Sequence, residues 1–357
     1  GNPSDGHGGA VVATVIGSVA ATVTASHADR FEIAGFDPSD VSIADLVGRV
    51  AAEGCGEIQP LVPAALTTLH RRLGADIAPV RISVDTTIPR SVGLAGSSAI
   101  VIATMRAVAR LHESAPWARM IENPSVLAAL ALAAERDVLG IAAGLQDRVV
   151  QSFGGTVAMD FGADAMHDVD EADLVEPAPG DPARSARPDA SEPDESALRG
   201  SELDKRRRGE TGTAEPTARG TPLRVGSYRR LGPLPDGLFV AYRAETAGDS
   251  GAVHAGVDPA DPAVRTAMGR AADAAHQAAA AIVAGDAAAL GAAMNTTFDQ
   301  RAAVMELDPR HVEMIEVARA NGAAANYTGS GGAVVVLASD GRARPALKEL
   351  GCRILSL

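Results

Sequence analysis

Ile88-Pro89-Arg90-Ser91-Val92-Gly93-Leu94-Ala95-Gly96-Ser97-Ser98-Ala99 is the stretch on which the reading of this chain turns. Val80, Ile82 and Val84 alternate before it as in a strand, and residues 100–108 follow it as an apolar run of helical length. The small residues therefore fall at a strand-to-helix turn. The first backbone N–H groups of a helix lack intrahelical partners and carry the positive end of its dipole. A glycine-lined entry lets an anion approach them, which makes this turn a place for phosphate. Gly93 and Gly96 remove side-chain bulk, and Ser97 and Ser98 add hydroxyls. The glycines alone suit a tight turn with a serine N-cap equally well. Two other phosphate loops are excluded: no Lys precedes a closing Ser or Thr as in Walker A, and the G-x-G-x-x-G spacing is missing.

The chain has 357 residues, enough for two domains of ordinary size. Aromatic residues make up 3%, so a core has to come from Val, Leu, Ile, Ala and Met. The formal net charge of −13 argues against nucleic acid or an anionic membrane as partner, and an anionic substrate then needs a local positive pocket. Cys55 and Cys352 are too few for a disulfide framework, and no apolar run approaches the roughly 20 residues of a membrane span. A soluble protein of a reducing compartment, the cytoplasm, is expected. The chain starts at Gly1 rather than Met and shows no signal-peptide layout, so the natural start is expected upstream.

Gly1-Asn2-Pro3-Ser4-Asp5-Gly6 reads as a turn, followed by a strand over 10–16. Residues 60–73 read as a helix whose basic end, His70, Arg71 and Arg72, complements the dipole. Asn123-Pro124 supplies the N-cap and first residue of a further helix that Gly140 closes. On it Glu135 shares a stripe with Ala128, Ala131 and Val138. A carboxylate on an apolar face needs a cation, and an arginine or a metal ion would each supply one. Gly144-Leu145-Gln146-Asp147-Arg148 comes next, then a strand over 156–161. Residues 163–221 lose all periodicity, acidic through Glu195 and basic at Lys205-Arg206-Arg207-Arg208, and are expected to be a disordered insertion. A strand over 238–242 precedes His254, which fits either a substrate contact or a capping role. Helices are expected over 262–284, 286–301 and 311–321. The last motif, Asn326-Tyr327-Thr328-Gly329-Ser330-Gly331-Gly332-Ala333, runs into an apolar strand.

The order Pro89-x-x-x-Gly93-Leu94-x-x-Ser97-Ser98-Ala99 resembles the phosphate loop of the GHMP kinases, small-molecule kinases that include galactokinase, homoserine kinase and mevalonate kinase. Asp147 stands twelve positions after Glu135, close to the interval between that family's magnesium-binding Glu and the Asp that contacts the reacting hydroxyl. Thr328-Gly329-Ser330-Gly331-Gly332 looks like its C-terminal glycine-rich segment. Gly1 to Asp5, Gly144 to Arg148 and Thr328 to Val336 together look most like the glucuronokinases, which make glucuronate 1-phosphate from D-glucuronate and ATP.

The resemblance implies an α+β protein with a ribosomal-protein-S5-like N-terminal domain over 1–162 and a ferredoxin-like C-terminal domain over 222–357. The insertion over 163–221 lies outside it, and the basic residue and strand that the family places before Gly1 are not in the chain. ATP would lie on Pro89, Gly93, Leu94, Ala95, Gly96, Ser97, Ser98 and Ala99, with Gly329, Ser330 and Gly331 closing over its phosphates. Ser98 and Glu135 would hold Mg²⁺, which takes hard oxygen ligands and commonly needs only one or two from protein. Asp147 would orient the hydroxyl and accept its proton. Asn2, Ser4, Asp5 and His254 would meet a sugar or sugar-acid substrate. Arg90 and Arg148 would each either clamp the substrate carboxylate or pair with a phosphate or a nearby acid. The competing expectations are a related kinase acting on a heptose phosphate, a galactose-like sugar or a non-sugar alcohol, and a relative that binds sugar or nucleotide without catalysis.

Overall fold

In a computed structural model of the chain, residues 9–33, 61–141, 143–169, 223–244, 258, 260–329 and 331–357 are described. Alternating short segments make the strands of the N-terminal half. These are β1 (Ala10–Thr14), β2 (Ala21–His27), β3 (Glu32–Ile33), β4 (Val80–Thr86) and β5 (Thr156–Asp160). Between them run the helices α1 (Leu61–Leu73), α2 (Gly96–Leu111), α3 (Pro116–Met120), α4 (Pro124–Ala133) and α5 (Gln146–Phe153). One sheet has the order β2-β4-β3, with β2 antiparallel and β3 parallel to β4. The Asn123 side chain accepts from the Ser125 and Val126 N–H groups and so starts α4 as its sequence requires. Met105 and Val108 of α2, Leu66 and Leu69 of α1 and Leu127 and Leu130 of α4 pack on Val80 and Ile82 in the main core.

The strands that follow the 163–221 stretch first return to this half. β8 (Ser227–Arg230) pairs with β5, which pairs in turn with β1. β7 (Arg224–Val225) pairs with β6 (His167–Asp168), so the start of the expected insertion carries a strand, and residues 170–222 lie outside the described residues.

The C-terminal half runs β9 (Leu238–Tyr242), α6 (Pro262–Ala284), α7 (Ala287–Ala302), α8 (Pro309–Ala320), β10 (Ala324–Tyr327), β11 (Ala333–Leu337), α9 (Ala343–Glu349) and β12 (Arg353–Ser356). Its sheet is antiparallel with the order β10-β11-β9-β12, the ferredoxin-like arrangement. Asp261, Asp286 and Asp308 cap α6, α7 and α8 with their side chains. Alanines 274, 278 and 281 of α6 and Ala293 of α7 let these two helices approach closely. Together the halves are the α+β fold. Among the described residues no helix is long and apolar enough to cross a membrane.

Phe239 sits on the central strand β9 with no exposed surface, under the Arg344 guanidinium. Phe239→Ala should lower the unfolding free energy by about 3–5 kcal/mol, measured by urea denaturation.

Candidate active site

The 88–99 loop leaves β4 and enters α2 through three left-handed residues, Ser91 (φ 56°), Gly93 (φ 71°) and Ala95 (φ 55°). Such a conformation costs a residue with a Cβ roughly 1–2 kcal/mol, and strain of this kind collects where backbone must meet a ligand. The Ala99 N–H makes its helical bond to the Ala95 carbonyl, so the amides of Gly96, Ser97 and Ser98 precede the first intrahelical bond of α2. The second glycine segment lies against this loop. A Cβ at Gly93 would overlap the Gly331 carbonyl and stand 2.7 Å from that of Thr328; one at Gly332 would stand 2.8 Å from Val92 Cα. Two segments more than two hundred residues apart in sequence thus meet backbone to backbone.

Beside this junction opens a cavity of about 590 Å³ between the halves. Gly93, Leu94, Ala95 and Ala99 line it from the loop, Gln146 and Asp147 from α5, and Thr328 and Gly329 from the opposite half. Arg106 and Arg110 of α2 and Arg301 of α7 bring positive charge to its wall, the local pocket that a chain of net charge −13 needs for an anion. Burial and repulsion from Arg110 and Arg230 hold the Arg106 guanidinium below the usual arginine range.

Among the residues expected from sequence, Gly93, Leu94, Ala95, Ala99, Asp147 and Gly329 line the cavity. Pro89, Gly96 and Ser97 are half-buried in the loop beside it, and Gly331 is buried against His311 and Tyr327. Arg90 is exposed and outside the lining. Asn2, Ser4, Asp5, His254 and Ser330 lie outside the described residues.

Glu135 sits on a π-helical turn, Ala134–Val138, that continues α4, a distortion frequent at functional sites. It is fully buried, and its Oε2 accepts from Arg148 Nε at 2.5 Å. Arg148, 6% exposed, also donates from Nη1 to the Gly144 carbonyl, and the same nitrogen lies 3.6 Å from Asp147 Oδ2. Of the two readings open for Arg148, the structure shows the pairing with a nearby acid and not the substrate clamp: its guanidinium faces Glu135 and lies outside the cavity lining. Of the two ways to neutralise Glu135, the structure shows the arginine. Glu135 Oε1, however, is buried with no hydrogen-bonding partner among the described residues. That orphaned hard oxygen, with the Ser98 hydroxyl that now donates to the Ala95 carbonyl, fits a divalent cation in kind.

Sequence reading passed over Arg301, Tyr327 and Thr328 as site residues. A basic residue in the last turn of a helix ordinarily complements the dipole, so nothing local distinguishes Arg301. Arg148 offers the clearest test of this geometry, because removing it leaves the Glu135 carboxylate buried and unpaired. Arg148→Met should cost about 3–5 kcal/mol in urea denaturation, and adding Glu135→Gln should recover most of it.

Residues 60–155 match the GHMP kinases N-terminal domain, and residues 278–355 match the GHMP kinases C-terminal domain. The chain is 30% identical to Glucuronokinase 1 of Arabidopsis thaliana over 99% of its own length and 86% of that protein. Probable glucuronokinase 2 of the same plant matches at 30% over 99% of this chain and 85% of its own. A Lin0012 protein from Listeria innocua shares the fold with a TM-score of 0.67 at 16% identity, over 99% of this chain and 93% of that one. The Methanococcus jannaschii mevalonate kinase does so with a TM-score of 0.62 at 14% identity, over 99% and 93%. The loop, the glycine segment locked against it and these matches agree: the chain belongs to the GHMP kinases and is an ATP-dependent kinase.

Proposed function

We propose that this kinase phosphorylates the anomeric hydroxyl of a sugar acid, D-glucuronate, giving glucuronate 1-phosphate and ADP. The reading is carried by Asp147, which stands at the N-terminus of α5 in the wall of the cavity that Gly93 and Gly329 also line. The two glucuronokinases similar to this chain along nearly its whole length support the choice of acceptor. The low cysteine content and the absence of a spanning helix among the described residues suit work in the cytoplasm.

ATP phosphates would lie on the amides at the start of α2, where dipole and unpaired N–H groups favour negative charge. Ser98 and Glu135 Oε1 would hold Mg²⁺, which when bound neutralises charge on the phosphates. The acceptor oxygen bonds to the γ-phosphorus as the bond from that phosphorus to the ADP oxygen breaks, and the hydroxyl proton passes to the Asp147 carboxylate. A carboxylate is a weak base for a hydroxyl, so its main work is to position the acceptor until the proton becomes acidic late in transfer. Gln146 and Arg148 flank Asp147 and fix where it points.

ADP release with Mg-ATP, measured against glucuronate, galacturonate, glucose, galactose, a heptose phosphate and homoserine, tests the acceptor. Turnover with glucuronate above the others is expected, and turnover with a neutral sugar or homoserine alone would refute the reading. Asp147→Asn should lower kcat by about 10²- to 10⁴-fold with ATP affinity retained. An unchanged kcat would remove Asp147 from the reaction.

A further inference from the structure

Glu135 fits a cation in the kind of its oxygen, yet it is not an uncompensated anion. Its Oε2 accepts from Arg148 Nε, and Arg148 Nη2 lies against the same oxygen, so one edge of the guanidinium meets one carboxylate oxygen. Nη1 donates to the Gly144 carbonyl at 2.9 Å and holds the guanidinium from its other side. Both side chains are buried, and Oε1 has no hydrogen-bonding partner among the described residues. The two residues form a formally neutral unit with one oxygen open.

A divalent cation is attracted to a ligand in proportion to that ligand's charge, and a small hard cation gives up its water reluctantly. With Arg148 in place the charge felt at Oε1 is largely cancelled, so the carboxylate alone offsets little of that dehydration. Neighbouring groups do not make up the difference. Asp137, on the same π turn, is paired with Arg72 at 2.6 Å, and the exposed Arg136 adds positive charge to the turn. Asp147 is half-buried 3.6 Å from Arg148 Nη1, so water and the same guanidinium both screen it. Ser98 has only a neutral hydroxyl to add. Among the described residues no three His, Cys, Asp or Glu side chains gather into a group that could hold a metal ion. The negative charge that is lacking has to arrive with the ligand, and nucleotide phosphates carry it.

We propose that Arg148 cancels the charge of Glu135 so that this carboxylate takes a divalent cation only together with ATP, and free cation does not occupy the site. The proposal rests on Glu135 as a cation ligand in the reading above. Arg148 also keeps Oε2 engaged, which leaves a single oxygen, Oε1, for the cation. Loss of the guanidinium charge would turn Glu135 into a buried anion that attracts a cation without nucleotide.

Mn²⁺, which shares the oxygen-ligand preference of Mg²⁺, is titrated without nucleotide and followed by electron paramagnetic resonance. The proteins compared are the parent, Arg148→Lys, Arg148→Gln and Arg148→Gln with Glu135→Gln. Arg148→Gln keeps an N–H donor for Glu135 but removes the charge. It should bind Mn²⁺ at least about 10-fold more tightly than the parent, with Arg148→Lys near the parent and the gain lost in the double variant. A rise in cation affinity is not what mere loosening of the fold would produce. Where Arg148→Gln is only marginally stable, its thermal midpoint answers the same question: Mn²⁺ should raise it, and should leave the parent's unmoved. An affinity no higher than the parent's, a gain that Arg148→Lys shares, or a gain that survives Glu135→Gln would each overturn the proposal. So would a parent that binds Mn²⁺ as tightly alone as with a non-hydrolysable ATP analogue. Glu135→Gln by itself separates the proposal from its basis. Unchanged Mn²⁺ binding with the analogue in that variant refutes Glu135 as a ligand and this proposal with it, whereas weakened binding there without a gain in Arg148→Gln refutes this proposal alone.

Discussion

Contact between two glycine backbones holds this site together. Gly93 lies against Thr328 and Gly331, and Gly332 lies against Val92, at separations that no Cβ would fit. Each half has its own apolar core, one around α1, α2 and α4 and the other around β9, β10 and β11. At the junction Val92 packs with Val240, Tyr242 and Ala333 in a small cluster drawn from both halves. Side chains on either glycine segment would push the halves apart and widen the cleft. The left-handed Ser91 and Ala95 belong to the same constraint, because the loop has to turn sharply to present its amides and its glycine face at once.

Charge is distributed around this junction in a way that net composition hides. The chain is acidic overall, yet Arg106, Arg110 and Arg301 line the cavity. Arg148 is the counterexample, a buried cation matched within the protein by Glu135 and aligned with Asp147. A buried ion pair of this kind contributes little net stability beyond an apolar alternative, but it fixes orientation, and here the residue it orients stands in the cavity wall. Glu135 stands on the π turn that continues the helix carrying Ala128 and Ala131, and it is as fully buried as they are.

Much of the fold was legible residue by residue. Asn123-Pro124 starts a helix where the N-cap rule requires, and the helix read from residue 262 begins there behind an Asp261 cap, whereas the helix read from residue 311 begins two residues earlier, at Pro309 behind Asp308. The strand, glycine turn and helix over residues 80–111 follow the period of their apolar residues. The strands β2, β3, β8 and β12 were not read, because short or polar segments acquire their pairing only from a neighbour that lies far along the chain. The early end of α4 at Ala133 escaped for a similar reason, since a π turn leaves no periodic trace in five residues.

The site divides along the same line. Sequence alone determined glycines at two turns, a serine pair at a helix start and a carboxylate, Glu135, on an apolar helical stripe, whereas the interval from Glu135 to Asp147 carried meaning only through the resemblance to the GHMP kinases. The first three are readable because capping, backbone permissiveness and helical period depend on nearest neighbours. Tertiary structure decided which groups face each other: that Arg148 meets Glu135 rather than the cavity, and that Arg301, the last-turn arginine of an alanine-rich helix, stands over Tyr327 in its wall. Partnership between charged groups depends on where the chain returns in space and on how much water is excluded there, and neither is written in local sequence.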